Sequence, residues 1–290
     1  MIQSKPLRAA IIDLYNNVPN QGMRCIKNLI ADASGAYYDV PIEYDVFDAR
    51  AKGEIPDLSY DIYISTGGPG SPFDSAGKTW EKNYFNFLDG LWSYNRAERM
   101  PPKYGMFICH SYQMVARHFN FAEVTERRSQ SFGVYPVHKT PAGERDPLLA
   151  GLSDPFYAAD FRDWQVLQPD KEKMEEMGAE ILCMEKERPH VKLERAVMGI
   201  RLLKQMVGLQ FHPEADPEGM IYHFSTDEQK KKIIDGHGTP KYEEIMHGLT
   251  APEYIAKTHQ SVIPGFLKRA VENNRPELVA SYLKQQPVGS

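Results

Sequence analysis

Three short, almost wholly apolar runs constrain the fold more than any other feature of the chain. They are Leu7-Arg8-Ala9-Ala10-Ile11-Ile12-Asp13-Leu14, Tyr60-Asp61-Ile62-Tyr63-Ile64-Ser65 and Tyr104-Gly105-Met106-Phe107-Ile108-Cys109. Runs of this length, rich in β-branched and aromatic residues, suit strands buried on both faces better than helices. Between them the period changes to that of a helix. Met23, Ile26, Leu29 and Ile30 form one apolar face over 22–34, and Trp80, Tyr84, Phe87, Leu88, Leu91 and Trp92 form another over 80–97, which Pro101-Pro102 closes. Residues 42–47 alternate as a further strand. Repetition of strand, helix and strand predicts an α/β fold with a doubly wound, mostly parallel sheet and helices on both faces.

In such sheets the functional groups collect beyond the carboxyl ends of the strands. Thr66-Gly67-Gly68-Pro69-Gly70, Cys109 and Gly208-Leu209-Gln210-Phe211-His212-Pro213-Glu214 all fall at such ends. Over 132–211 the signals are strand-rich, with strands expected at 132–138, 179–184, 196–203 and 206–211 and a tight hairpin at Lys204-Gln205. Asp170 to Glu176 reads as a solvated face or loop. Past Glu214 the chain becomes helical and charged, with helices expected over 227–234, 242–247 and 266–273. The expected division is a sheet domain over 1–216 and a C-terminal helical extension over 217–290 packed on it.

The chain has 290 residues, a net charge of −5 and a pI of about 6.0. That balance argues against nucleic acid or an anionic membrane as partner, since both call for concentrated positive charge. No apolar run reaches the roughly 18–20 residues of a membrane span. Met1 to Pro6 lead into the first strand without the apolar region of a secretion signal. Cys25, Cys109 and Cys183 are far apart and odd in number, which suits a reducing, cytoplasmic compartment and excludes a disulfide framework. His118, His138, His190, His223, His237, His247 and His259 lack ligand spacing, so no metal and no other cofactor is expected.

Cys109 carries the chemistry. It ends a strand and opens the helical pattern His110 to Phe119, so it occupies a tight elbow with its sulfur exposed. Both the helix dipole and the free N–H groups favour a thiolate there. His212 supplies a base, and Glu214, two residues on, can orient it. A nucleophile, a base and an orienting group are the parts of a cysteine acyl-transfer site. Gly67 and Gly68 allow backbone N–H groups to face a developing oxyanion. Against this stands the common fate of a free cysteine, which is burial in the core. Cys25 and Cys183 lie in apolar patterns and read as core. Arg127-Arg128 reads as a surface pair, and at most as a substrate contact.

Gly67-Gly68-Pro69-Gly70-Ser71, Cys109-His110-Ser111-Tyr112-Gln113 and Gln210-Phe211-His212-Pro213-Glu214, in this order, resemble the class I glutamine amidotransferases. The resemblance spans roughly residues 7 to 215 and is similar to the amidotransferase domain of GMP synthetase. It implies a flavodoxin-like sheet with Cys109 as nucleophile, His212 as base and Glu214 as its partner. It further implies an oxyanion hole of the Gly68 and His110 N–H groups, and substrate contacts from Gly67 and Gln113. Two departures stand out. The family elbow is Gly-x-Cys-x-Gly, whereas Phe107 and Ser111 flank Cys109 here. The family's Ser-His-Gly-Asp segment aligns with Asp160-Phe161-Arg162-Asp163, read as a substrate-carrying loop. The resemblance implies hydrolysis of the glutamine side-chain amide, with ammonia passed to a synthetase or transferase partner. A γ-glutamyl hydrolase and a non-catalytic binding relative remain the alternatives.

Overall fold

The computed structural model describes residues 5–285 except 19, 191, 252 and 253. The first half runs β1 (Leu7–Asp13), α1 (Gln21–Ala33), β2 (Ile42–Asp48), β3 (Ile62–Ser65), α2 (Thr79–Arg96), β4 (Tyr104–Ile108) and α3 (His110–Phe119). Next come β5 (Glu123–Lys139), α4 (Pro141–Arg145), β6 (Phe156–Leu167), α5 (Lys171–Met177), β7 (Glu180–Glu185), β8 (Val197–Leu203) and β9 (Met206–Leu209). Five helices follow: α6 (Pro217–Ser225), α7 (Asp227–His237), α8 (Thr239–Thr250), α9 (Ile255–Asn274) and α10 (Pro276–Gln285).

All nine strands join one sheet in the order β2-β1-β3-β4-β9-β8-β7-β5-β6. The first five in that order run parallel, and the pairs from β9 to β6 are antiparallel. The sheet is therefore mixed, with a parallel half that carries the three apolar runs. Alternate residues of β4 feed opposite sides: Tyr104, Met106 and Ile108 pack with α1 and α9, and Phe107 packs with Tyr63, Tyr84 and Tyr112. The hairpin between β8 and β9 turns at Lys204-Gln205, where the sequence places it.

The second half differs from the sequence reading in two places, the segment from Asp160 to Asp163 and the start of β5. Asp160 to Asp163 lie inside β6 and form no loop. Asp160 and Arg162 point inward as an ion pair with an Nε–Oδ1 distance of 2.8 Å, so a buried charged pair hides the strand's pattern. Lys171 to Glu176 belong to α5 and give it the solvated face the sequence suggests, over buried Met174 and Met177; Asp170 caps the helix by accepting from the Lys173 N–H, and Gly178 in the left-handed conformation closes it. β5 begins at Glu123, nine residues before the expected start, through a register shift between Glu126 and Ser131.

β6 is the edge strand, four places from β9, yet Ala159 bridges His212 at the carboxyl end of β9. The antiparallel half therefore curls back over the parallel half. The C-terminal helices pack against both parts of the sheet. Met220, Phe224, Ile233, Ile245, Leu249 and Ile255 form one apolar cluster with Val134 and Ala159. Val262, Ile263, Phe266, Leu267, Ala270 and Val271 of α9 are fully buried against the parallel half.

Truncation after Asp216 would expose both groups of apolar side chains. The shortened chain is expected to aggregate or to lose most of its thermal stability. A monodisperse product on size exclusion with an unchanged melting temperature would contradict this.

Candidate functional site

The elbow is built by hydrogen bonds that leave Cys109 little freedom. Cys109 takes φ 49° and ψ −102°, a conformation that non-glycine residues rarely adopt. Its N–H donates to the Leu209 carbonyl of β9 at 2.7 Å, and its carbonyl accepts from Gln113 at 3.0 Å. Ser111, which replaces the expected glycine, pins the turn. Its Oγ accepts from the Ile108 N–H at 2.7 Å and lies 2.8 Å from the Ser65 carbonyl of β3. Phe107 causes no crowding at the elbow, because its ring turns back over Gly105. A Cβ at 105 would lie 3.3 Å from that ring.

Cys109 is largely buried and borders a cavity that opens to solvent. The cavity measures about 620 Å³ and is lined by Cys109, His212, Glu214 and Gly68 at its base. His212 Nδ1 lies 2.8 Å from Glu214 Oε1. Gly67 sits between Cys109 and the His212 imidazole: a Cβ there would lie 2.9 Å from His212 Cε1 and 3.6 Å from the Cys109 Cβ. At Gly68 a Cβ would collide with the Leu14 carbonyl oxygen, so only glycine lets the loop lie against β1. Burial alone would lower the His212 pKa. Glu214 and Cys109 outweigh it and raise the pKa well above the ordinary histidine value. The geometry thus favours an imidazolium held between a carboxylate and a sulfur.

Gln113 does not line the cavity. Its Nε2 donates to the Trp164 carbonyl and to Gln210 Oε1, both at 3.2 Å, and Gln210 Nε2 approaches Cys109 Sγ at 3.7 Å. The His110 ring is packed inside, close to Gly70, and burial followed by the charge of Arg50 lowers its pKa to about 3.

Several neighbours carry no sequence signal of their own. Gln210 stands two residues before His212, so its position in the motif could have marked it. Tyr15 lines the cavity, and burial followed by the charge of Glu214 keeps its phenol protonated. His259 of α9 places Nδ1 3.0 Å from the Glu214 carbonyl oxygen. The far wall comes from Met220, Phe224 and Ile233 of α6 and α7, facing Phe132 and Phe161 of β5 and β6.

The three cysteines differ in setting. Burial followed by Asp216 pushes the Cys25 thiol up to about 12, and burial pushes Cys183 higher still. Iodoacetamide at neutral pH is therefore expected to label Cys109 before Cys25 and Cys183. Peptide mapping that finds either of the other two labelled first would contradict this placement.

His110 makes a second prediction. It stays neutral in the folded chain, whereas the unfolded chain takes up a proton below about pH 6.5. Its contribution to stability is thus present above that value and is lost as pH falls toward 3. His110→Gln is expected to flatten the loss of stability between neutral pH and about pH 4, read from denaturant midpoints. An unchanged slope would rule His110 out as the cause.

No protein-family model and no curated protein matches the sequence. Solved structures do match over nearly the whole chain. A glutamine amidotransferase of Thermotoga maritima shares 18% identity at a TM-score of 0.64, covering 93% of this chain and 100% of that one. A glutamine amido transferase of Methylobacillus flagellatus shares 15% at 0.54, covering 99% and 97%. The glutaminase domain of Trypanosoma brucei CTPS, solved with bound acivicin, shares 13% at 0.53, covering 97% and 96%. The nine-stranded curled sheet with its flanking and C-terminal helices is the class I glutamine amidotransferase-like fold.

Proposed function

We propose that the protein is a cysteine-dependent amidohydrolase of the glutamine amidotransferase type, with Cys109, His212 and Glu214 as its triad. One observation carries the reading. A cysteine on a strained elbow shares a cavity floor with an imidazole that a carboxylate holds at 2.8 Å. In the proposed reaction Cys109 Sγ attacks the side-chain carbonyl carbon of glutamine. The oxyanion is received by the N–H groups of Gly68 and His110, a type of contact worth about 3 kcal/mol per donor. The C–N bond breaks as His212 gives its proton to the leaving ammonia, which leaves a γ-glutamyl thioester on Cys109. Water then attacks the thioester while His212 takes its proton, and glutamate departs as Cys109 is regenerated. Glu214 holds the imidazole and stabilises its charge. The sequence contains no Gly-x-x-x-x-Gly-Lys-Ser/Thr loop, so an acceptor reaction that uses ATP through such a loop would fall to a synthetase or transferase partner.

The cavity favours a second reading, a γ-glutamyl hydrolase. Phe132, Phe161, Met220, Phe224 and Ile233 make much of the wall, and among the described residues Glu214, already held by His212, is the one carboxylate in it. That lining suits a γ-glutamyl amide with a bulky apolar amine better than ammonia as the leaving group. Within the described residues, no helix is long and apolar enough to cross a membrane.

Cys109→Ser is expected to abolish turnover of glutamine and of γ-glutamyl anilide while the melting temperature holds. Full turnover in the folded variant would sink the triad. Acid-quench mass spectrometry separates the two readings. A γ-glutamyl adduct of Cys109 from glutamine supports the first, and one from the anilide alone supports the second. Absence of an adduct from both would leave a binding protein. Glu214→Gln is expected to lose roughly one to two orders of magnitude less rate than His212→Ala, since it orients the base but moves no proton. A silent Glu214→Gln would mean that another group orients His212.

A further inference from the structure

The Arg127-Arg128 pair reads as a surface feature in the sequence, but Arg127 is buried, with a side chain 8% exposed. It belongs to an arginine cluster at the antiparallel end of the sheet. Glu185 at the end of β7 is shared by three guanidinium groups. Its Oε1 lies 3.0 Å from Arg127 and 3.2 Å from Arg162, and its Oε2 lies 2.8 Å from Arg188. Asp160 neutralises Arg162. The two buried carboxylates therefore serve three arginines, and one positive charge is left over. Arg195 adds a further guanidinium, which donates from Nε to the Glu185 carbonyl at 2.7 Å and pairs with the exposed Glu187.

A surplus charge of this kind is costly to bury unless something answers it. Burial, followed by the repulsion of Arg162, lowers the Arg127 pKa against the pull of Glu185. A second sign is independent of charge counting. Arg188 Nε and Arg195 Nη2 are buried donors with no hydrogen-bond partner among the described residues. Buried donors are almost always paired, so two together call for an acceptor. Arg188 borders a cavity of about 340 Å³ together with Arg127, Arg128 and Lys192, and among the described residues Glu126 and Glu194 are the carboxylates of its lining. With both glutamates ionised, and with Glu185 and Asp160 set against Arg127, Arg162 and Arg188, one positive charge remains at that border.

We propose that this cavity binds a small metabolite carrying an oxyanion, a phosphate or a carboxylate group. Guanidinium groups present paired N–H donors that match either oxyanion, and the concave wall limits its hydration. The volume exceeds what one inorganic anion fills and stands at the small end of ligand pockets, so the group is carried on a compact molecule. The site involves none of the residues assigned to amide hydrolysis, and its test is independent of that assignment.

The full-length chain is titrated by calorimetry with sodium phosphate, and separately with sodium citrate, at matched ionic strength in an anion-poor buffer. At least one of the two is expected to bind saturably at one site. Arg188→Gln is expected to weaken that binding about tenfold, a loss of roughly 1.4 kcal/mol. Lys192→Gln, at an exposed position, is expected to weaken it severalfold and keeps the test available if Arg188→Gln fails to fold. Binding of phosphate alone identifies a phosphorylated ligand, and binding of citrate alone identifies a carboxylate. No saturable binding of either anion, or equal affinity in the wild type and a folded variant, overturns the proposal.

Discussion

The backbone of Cys109, held at φ 49° and ψ −102°, is the conformation on which the site depends. Such a conformation costs a residue with a side chain on the order of 1–3 kcal/mol, so its surroundings must over-determine it. They do so from three strands. Leu209 of β9 accepts its N–H, the hydroxyl of Ser111 bridges the end of β4 to Ser65 of β3, and Gln113 closes the first turn of α3. If the turn relaxed, these bonds could not all survive. The direction of the sulfur is thereby given by the sheet, and the helix N-terminus stays aimed at it.

Glycine and aromatic positions are interlocked around this elbow. Phe107 brings a ring where a small residue is usual, and Gly105 in the same strand makes room for it. Gly208, opposite Phe107 in the register of β9, leaves room for the Tyr112 ring, which a Cβ there would strike. The departure from Gly-x-Cys-x-Gly is thus a different solution of the same packing problem. The sulfur stays at the floor of the cavity with a full-sized side chain two residues before it.

Much of this was legible in the sequence, for a physical reason. The parallel strands are buried on both faces, so their apolar runs announce themselves, and Cys109, His212 and Glu214 sit at strand ends within short motifs. What escaped is where burial and polarity part company. β6 carries Asp160 and Arg162 inward, so its alternation reads as a polar loop until Glu185 and Arg127 are seen to answer those charges. Arg127 escaped in the same way. The apolar residues of α6 and α7 were visible as residues that need burial. Which surface they would cover depends on the curl of the sheet, and no periodicity encodes that. Gln113 illustrates a further limit: the motif marks its proximity to Cys109, and the fold interposes Gln210 between them.

The link between α9 and Glu214 bears on what the C-terminal helices are to the site. The sheet, the elbow and the His212–Glu214 pair are complete within the first 214 residues, but His259 reaches the Glu214 carbonyl from α9, and Met220, Phe224 and Ile233 wall the cavity. Without the C-terminal helices the chamber around that cysteine lacks one wall, and the core beneath it lacks part of its packing. The wall facing β5 and β6 comes from α6 and α7, and α9 adds the bond to the Glu214 carbonyl. The C-terminal helices thus act as a lining as much as an extension: the same side chains that complete the core enclose the thiol.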